Sequence, residues 1–402
     1  MTVHSTALQV SHERYVLPFG RAVYGAEERD ALLAAFDAGD LATGRKVAEF
    51  ETAFAAQFGF RHAIAVSSGS VANMLAIATL IAMGRLAPGD RVLVSGATFI
   101  TAVAPIVQLG LHPVFVDVAT GRANTDLELA LRAAKDCGAR GALLPHTLGQ
   151  PLDNRGLKEL ADRGLVLVED CCESLGARDD LGLVGTVGSV ATFSFYAGHH
   201  VTTGEGGMLG TNDDAVAEAL RSMRAFGRDP AYSAGRFRYP VGDRDIAPEE
   251  RYVHKALGYN AKLTDLQASI GIEQLRREPT FRAHRRSLAA SIATVLEEAG
   301  WQILGEPAAS GAVPFGIPFL IPEQYSAAHI VETLARYGVD ARGFLGASLP
   351  DQPCFDRVPI TVYEPFVNAR HLAHRGLIVG CPPGGEDGEA LAALRRAIKE
   401  LA

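Results

Sequence analysis

A few short stretches carry side chains whose types and order can do chemistry. Ser67-Ser68-Gly69-Ser70 stands between the apolar run Ala63–Val66 and the apolar-periodic run Val71–Leu80. A helix starting there aims backbone N–H groups and the positive end of its dipole at whatever lies above the strand, which suits a phosphate. An ordinary serine N-cap explains the same residues. Asp170 follows the apolar Leu165–Val168. A carboxylate buried there needs a cation, and the protonated ring nitrogen of pyridoxal phosphate is one; a cap on the next turn is the alternative. His199-His200 places two imidazoles side by side, groups that take and give protons near neutral pH. Neighbours on an extended segment point to opposite faces, so one of His199 and His200 can serve as the base while the other meets the substrate. Arg342, in Asp340-Ala341-Arg342, is a fork suited to a carboxylate or phosphate, or a plain surface arginine.

The elements that must position these groups alternate. Short β-rich runs at Ala63–Val66, Arg91–Ser95, Pro113–Val116, Ala142–Leu144, Leu165–Glu169 and Ala191–Phe195 recur between helical patterns. Such alternation predicts a mostly parallel sheet covered by helices, with ligands at the carboxyl ends of the strands. The polar groups fall there: Ser67–Ser70, Thr98-Phe99 and Asp170 each follow a strand. From about Gly258 the pattern turns to helices, Asp265–Arg276 and Phe281–Ala299, then to fewer strands. The expected division is an N-terminal arm and large domain over 1–257 and a small C-terminal domain over 258–402. Arg224–Glu250, rich in Gly, Arg, Asp and Pro, reads as a long loop.

A net charge of −8 argues against a nucleic-acid partner. There is no cationic start followed by an apolar run and no stretch of about 18 apolar residues, so neither a leader nor a membrane span is expected and the protein reads as cytoplasmic. The cysteines Cys137, Cys171, Cys172, Cys354 and Cys381 contain no C-x-x-C pair, so neither disulfides nor a metal site is expected.

The most specific stretch is Phe193-Ser194-Phe195-Tyr196-Ala197-Gly198-His199-His200-Val201-Thr202-Thr203-Gly204-Glu205-Gly206-Gly207. It resembles the S-F-x-x-x-K-x-x-T-T-G-E-G-G signature of the DegT/DnrJ/EryC sugar aminotransferases, fold type I pyridoxal phosphate enzymes in which that lysine forms the Schiff base. Counting from Ser194, His199 stands in the lysine position, and no lysine lies between Lys158 and Lys255. Further motifs agree in order from Gly20-Arg21-Ala22 to Pro382-Pro383-Gly384, among them Val114-Phe115-Val116-Asp117, His146-Thr147-Leu148-Gly149-Gln150-Pro151, Glu169-Asp170-Cys171-Cys172-Glu173-Ser174 and Gly258-Tyr259-Asn260-Ala261-Lys262. The double histidine with H-T-L-G-x-P and G-Y-N-x-K resembles the branch that removes the 3-hydroxyl of nucleotide-linked 4-keto-6-deoxyhexoses. One member of that branch carries an iron–sulfur cluster, with cysteines just after a G-R-D. Here Gly227-Arg228-Asp229-Pro230-Ala231-Tyr232 holds none, so no cluster is expected.

The resemblance implies an aspartate aminotransferase-like α/β fold, with a mostly parallel seven-stranded sheet and a smaller C-terminal α+β domain. It implies pyridoxal or pyridoxamine 5′-phosphate as cofactor, L-glutamate as the donor that restores the amine, and a homodimer with shared sites. By position it assigns Gly69, Ser70 and Ser194 to the phosphate, Phe99 to the ring face, Asp170 to the ring nitrogen and Glu173 to the neighbourhood of the ring oxygen. Asn260 is assigned to the phosphate of the neighbouring subunit's cofactor. Where such dehydratases read G-N-L, this chain has Ala347-Ser348-Leu349. An atypical sugar or cyclitol aminotransferase and a non-catalytic regulatory homologue are the alternatives; the second does not explain why Asp170, Phe99, Ser194 and T-T-G-E-G-G persist together.

Overall fold

The computed structural model describes residues 15–228, 253–385 and 387–401. Most of the expected long loop, 229–252, lies outside the described residues. The strands are β1 (His62–Val66), β2 (Arg91–Ser95), β3 (His112–Val116), β4 (Gly141–Pro145), β5 (Val166–Asp170), β6 (Val190–Ser194), β7 (Gly207–Thr211), β8 (Gln302–Ile303), β9 (Gly316–Leu320), β10 (Ala341–Gly343), β11 (Thr361–Val362) and β12 (Gly376–Gly380).

The large sheet has the order β1-β7-β6-β5-β4-β2-β3-β11. Within it β7 alone runs against its neighbours, pairing antiparallel with both β1 and β6. Parallel strands covered on both faces bury every residue. Accordingly Val92 and Val94 pack into one layer with Leu75, Leu80 and Ile106, while Leu93 points to the other with Ala130, Leu157 and Leu160. Among the described residues the sheet has eight strands, which corrects the expected seven. The addition is β11, from the C-terminal third of the chain, which pairs parallel with β3 and covers an edge that would otherwise be open. Two residues are too few to show a hydrophobic period.

The second sheet, β10-β12-β9-β8, is antiparallel. Its core takes in Leu288, Ile292 and Leu296 from a long helix, Asp265–Glu298, together with Ile330, Leu334 and Leu394. That helix was expected as two pieces and is continuous across Pro279. A proline at this point leaves the carbonyl four residues earlier without its donor. That carbonyl, Leu275 O, is met by Gln57 Nε2 at 3.4 Å. The N-terminal stretch joins the second core through Leu17, whose N–H donates to Gly338 O at 3.1 Å. Among the described residues no helix is long and apolar enough to cross a membrane.

Candidate active site

The carboxyl ends of β1, β2, β4, β5 and β6 open onto a cavity of about 1160 Å³. Its wall brings together Gly69, Ser70, Phe99, Asp170, Glu173, Ser194, His199 and Arg342. His200 and Asn260 stand outside that wall.

At one corner the helix Gly69–Ala82 begins, capped by Ser68, whose Oγ accepts from the Val71 N–H at 3.2 Å. The first amides of a helix lack intrahelical acceptors and face outward. A side chain at 69 would not fit: a Cβ there would stand 2.6 Å from Ser194 Cβ and 3.0 Å from Cys172 Sγ. Glycine therefore lets three chain segments close on a corner where helix amides meet the serines Ser70 and Ser194. Next to it Phe99 keeps 57% of its surface exposed, a large apolar face turned to the cavity rather than to the core.

Asp170, at the end of β5, is 8% exposed. Asn73 Nδ2 donates to its Oδ2 at 2.8 Å, and the Cys172 N–H donates to Oδ1 at 3.0 Å. Asn73 is itself held by the Thr192 hydroxyl, which donates to Asn73 Oδ1 at 2.6 Å. Among the described residues no basic side chain pairs with Asp170. A buried carboxylate at a cavity wall with no cation of its own is what a pyridinium nitrogen requires. Together with the aromatic face and the corner of helix amides and serines, this donor set fits pyridoxal phosphate.

His199 is fixed on three sides. Its Nδ1 lies 2.7 Å from Cys172 O, and a carbonyl only accepts, so Nδ1 carries the hydrogen and Nε2 keeps a lone pair. The ring packs against Phe315 with centroids 4.9 Å apart, and the His199 N–H closes a turn on Tyr196 O at 2.9 Å. Burial holds the imidazole near 4, helped by the Arg285 charge and opposed by the Cys172 carbonyl and Asp170. It is thus an unprotonated base at neutral pH.

His200 also lies beside Phe315, with ring centroids 6.0 Å apart. Its Nε2–H donates to Val313 O at 2.9 Å, its Nδ1 is buried without a partner among the described residues, and 3% of the residue is exposed. Burial keeps it well below the usual imidazole value. Arg342, on β10, is exposed at the mouth, 3.0 Å from Asp340 and stacked 4.3 Å over the Phe19 ring. Asn260 is exposed and bridged through its backbone to Ala225.

Glu173 accepts one backbone N–H, from Leu148 at 2.9 Å. Burial, with the nearby Asp170 charge, raises its carboxyl to about 7 against that hydrogen bond. A carboxyl raised on folding costs nothing below the unfolded value, and stability is lost as the pH rises towards the folded one. Glu173→Gln removes that cost. The variant is expected to match wild type near pH 4.5 and to exceed it by about 3 kcal/mol at about pH 8, read from urea unfolding of the cofactor-free proteins.

The sequence reading missed the supports of this site: Asn73, Thr192, Phe315 and Arg285. Asn73 left a trace, as a polar residue inside the apolar run Val71–Leu80, because a buried amide needs partners.

The DegT/DnrJ/EryC1/StrS aminotransferase family model matches residues 23–392. The chain belongs to this family. A dTDP-4-dehydro-2,6-dideoxy-D-glucose 3-dehydratase of Saccharopolyspora spinosa is 32% identical, over 91% of this chain and 82% of that protein. Among solved structures, an E. coli GDP-4-keto-6-deoxy-D-mannose-3-dehydratase with bound hydrated PLP is 28% identical with a TM-score of 0.86, covering 95% of this chain and 99% of that one. A structure of GDP-4-keto-6-deoxymannose-3-dehydratase with a trapped PLP-glutamate geminal diamine, also 28% identical, covers 96% and 100% with a TM-score of 0.85. These likenesses bear out the aminotransferase-type α/β fold of this family member.

Proposed function

We propose that this chain is a pyridoxal/pyridoxamine phosphate-dependent dehydratase that removes the 3-hydroxyl of a nucleotide-linked 4-keto-6-deoxyhexose in deoxysugar biosynthesis. The observation that carries the reading is His199, which stands where the family has its lysine and has Nδ1–H committed to Cys172 O, so that Nε2 is the free base. The activities named for the similar proteins support it.

Gly69, Ser70 and Ser194 would hold the cofactor phosphate, Phe99 would lie on the ring face, Asp170 would pair with the ring nitrogen and Glu173 would sit near the ring oxygen. When bound, pyridoxamine phosphate supplies an amine for the sugar ketone and a conjugated ring that accepts electrons. His199 Nε2 takes a proton from the substrate–cofactor assembly. The resulting imidazolium, disfavoured by burial and by Arg285, passes the proton to the departing 3-hydroxyl. An imidazole, unlike a lysine amine, cannot capture the cofactor covalently, so amino transfer to the sugar is not completed. L-glutamate would be the amine donor, and Arg342, exposed at the mouth, would meet its carboxylate or a substrate phosphate.

A homodimer in the cytoplasm completes the reading. Exposed Asn260, away from its own cavity, is free to reach the neighbouring subunit's phosphate, and free cysteines suit a reducing compartment.

The test is incubation with pyridoxamine phosphate, L-glutamate and a panel of nucleotide-linked 4-keto-6-deoxyhexoses, followed by mass spectrometry. Loss of water to give a 3-deoxy ketone is the expected result. An amino sugar as product, or failure to retain the cofactor, overturns the reading.

A further inference from the structure

Arg285, on the helix Asp265–Glu298, is 1% exposed. Among the described residues no carboxylate pairs with it. Its guanidinium fans onto carbonyls from separate segments: Nη1 donates to Cys381 O at 2.6 Å and to Pro314 O at 3.4 Å, and Nη2 donates to His199 O at 3.0 Å. It also lies 5.9 Å from the centroid of Phe315, the ring that packs on His199. Taking a cation out of water without an anion beside it is costly to the fold. Even so the group keeps its proton at neutral pH, since burial brings it down only to about 10.

We propose that Arg285 is a positioning residue for His199, holding the histidine turn by the His199 carbonyl and disfavouring a second positive charge on the imidazole. The charged and titratable groups around that ring are Asp170, of opposite sign, Arg285, His200 and Tyr196, whose ring stands edge-on 6.1 Å away, with the thiols of Cys172 and Cys381 nearby. Asp170 pulls towards the imidazolium and Arg285 pushes against it. Without the arginine the balance passes to Asp170, and the imidazolium formed after proton abstraction becomes a weaker acid towards the departing 3-hydroxyl. This inference rests on the reading of His199 as the proton carrier.

The experiment follows the His199 imidazole resonances against pH in cofactor-free wild type, Arg285→Met and Arg285→Lys, with His199→Asn to assign the signal. Arg285→Met is expected to raise the His199 midpoint by about one unit. In the loaded enzyme it is expected to lower kcat about 10-fold with KM unchanged. Arg285→Lys keeps the charge but not the fan, so its midpoint stays at the wild-type value while kcat falls about threefold at constant KM. An unmoved midpoint in Arg285→Met overturns the proposal. Should that variant not fold, Arg285→Lys decides: a raised midpoint, or wild-type kcat, overturns it. A tie that only stabilises the fold would change the unfolding midpoint and leave the titration alone. If His199→Asn still dehydrates the substrate, the reading of His199 fails instead, while the titration still reports whether Arg285 acts on the ring.

Discussion

His199→Asn is expected to lose turnover by about 10²–10⁴-fold, the range for removal of a general base, with KM for the sugar unchanged. The substitution is chosen for shape. An asparagine N–H can still donate to Cys172 O, which now receives the His199 Nδ1–H at 2.7 Å, but no basic nitrogen remains. In wild type the acid limb of kcat should lie below the ordinary imidazole value, because burial and Arg285 hold His199 near 4. The companion His199→Lys puts an amine in the same apolar niche beside Phe315 and Arg285. Burial and a neighbouring cation both favour the neutral amine, the form that attacks an aldehyde. This variant is expected to bind pyridoxal phosphate covalently, seen as a borohydride-fixed mass increase, and to stop dehydrating. Wild-type turnover by His199→Asn would remove this histidine from the chemistry.

The groups that face the cavity were legible because they break local patterns. Asp170 ends an apolar strand, and His199 interrupts a signature that otherwise runs intact. The strands of the sheet centre were legible for the same physical reason, since burial on both faces demands unbroken apolar runs. The strand β7 was not: Gly207-Met208-Leu209-Gly210-Thr211 carries glycines where backbone comes close. A Cβ at Gly207 would stand 2.4 Å from Ser68 O, and one at Gly210 would stand 2.8 Å from the Phe60 ring. Close approach thus erased the β-branched signal that marks a strand. The supports of the site were hidden differently. Arg285 sits in a helix with other arginines at 276, 277, 282 and 286, and only its burial against carbonyls from distant segments sets it apart. Nothing in the order of residues tells which of these guanidinium groups loses its water.

Asp170→Asn is expected to lower kcat by about 10²-fold or more, the scale for loss of a preorganised electrostatic contact in a buried site. Shape alone does not account for that size. Both carboxylate oxygens already accept an N–H, from Asn73 Nδ2 at 2.8 Å and from Cys172 at 3.0 Å. An amide offers one oxygen for these two donors, so one N–H loses its acceptor, at a cost of about 1–3 kcal/mol in stability. Asn73→Ala separates the two effects. It strips Oδ2 and the Thr101 carbonyl of their donor and the Thr192 hydroxyl of its acceptor, yet leaves the charge that a pyridinium nitrogen needs. Its stability loss should be at least that of Asp170→Asn, since three hydrogen bonds of a buried amide are lost, while its kcat should fall only about 10-fold. The absorbance of bound pyridoxal phosphate should change in Asp170→Asn and stay close to wild type in Asn73→Ala. Equal losses of turnover in the two variants would mean that Asp170 acts as a packing group and that its charge does not serve the cofactor.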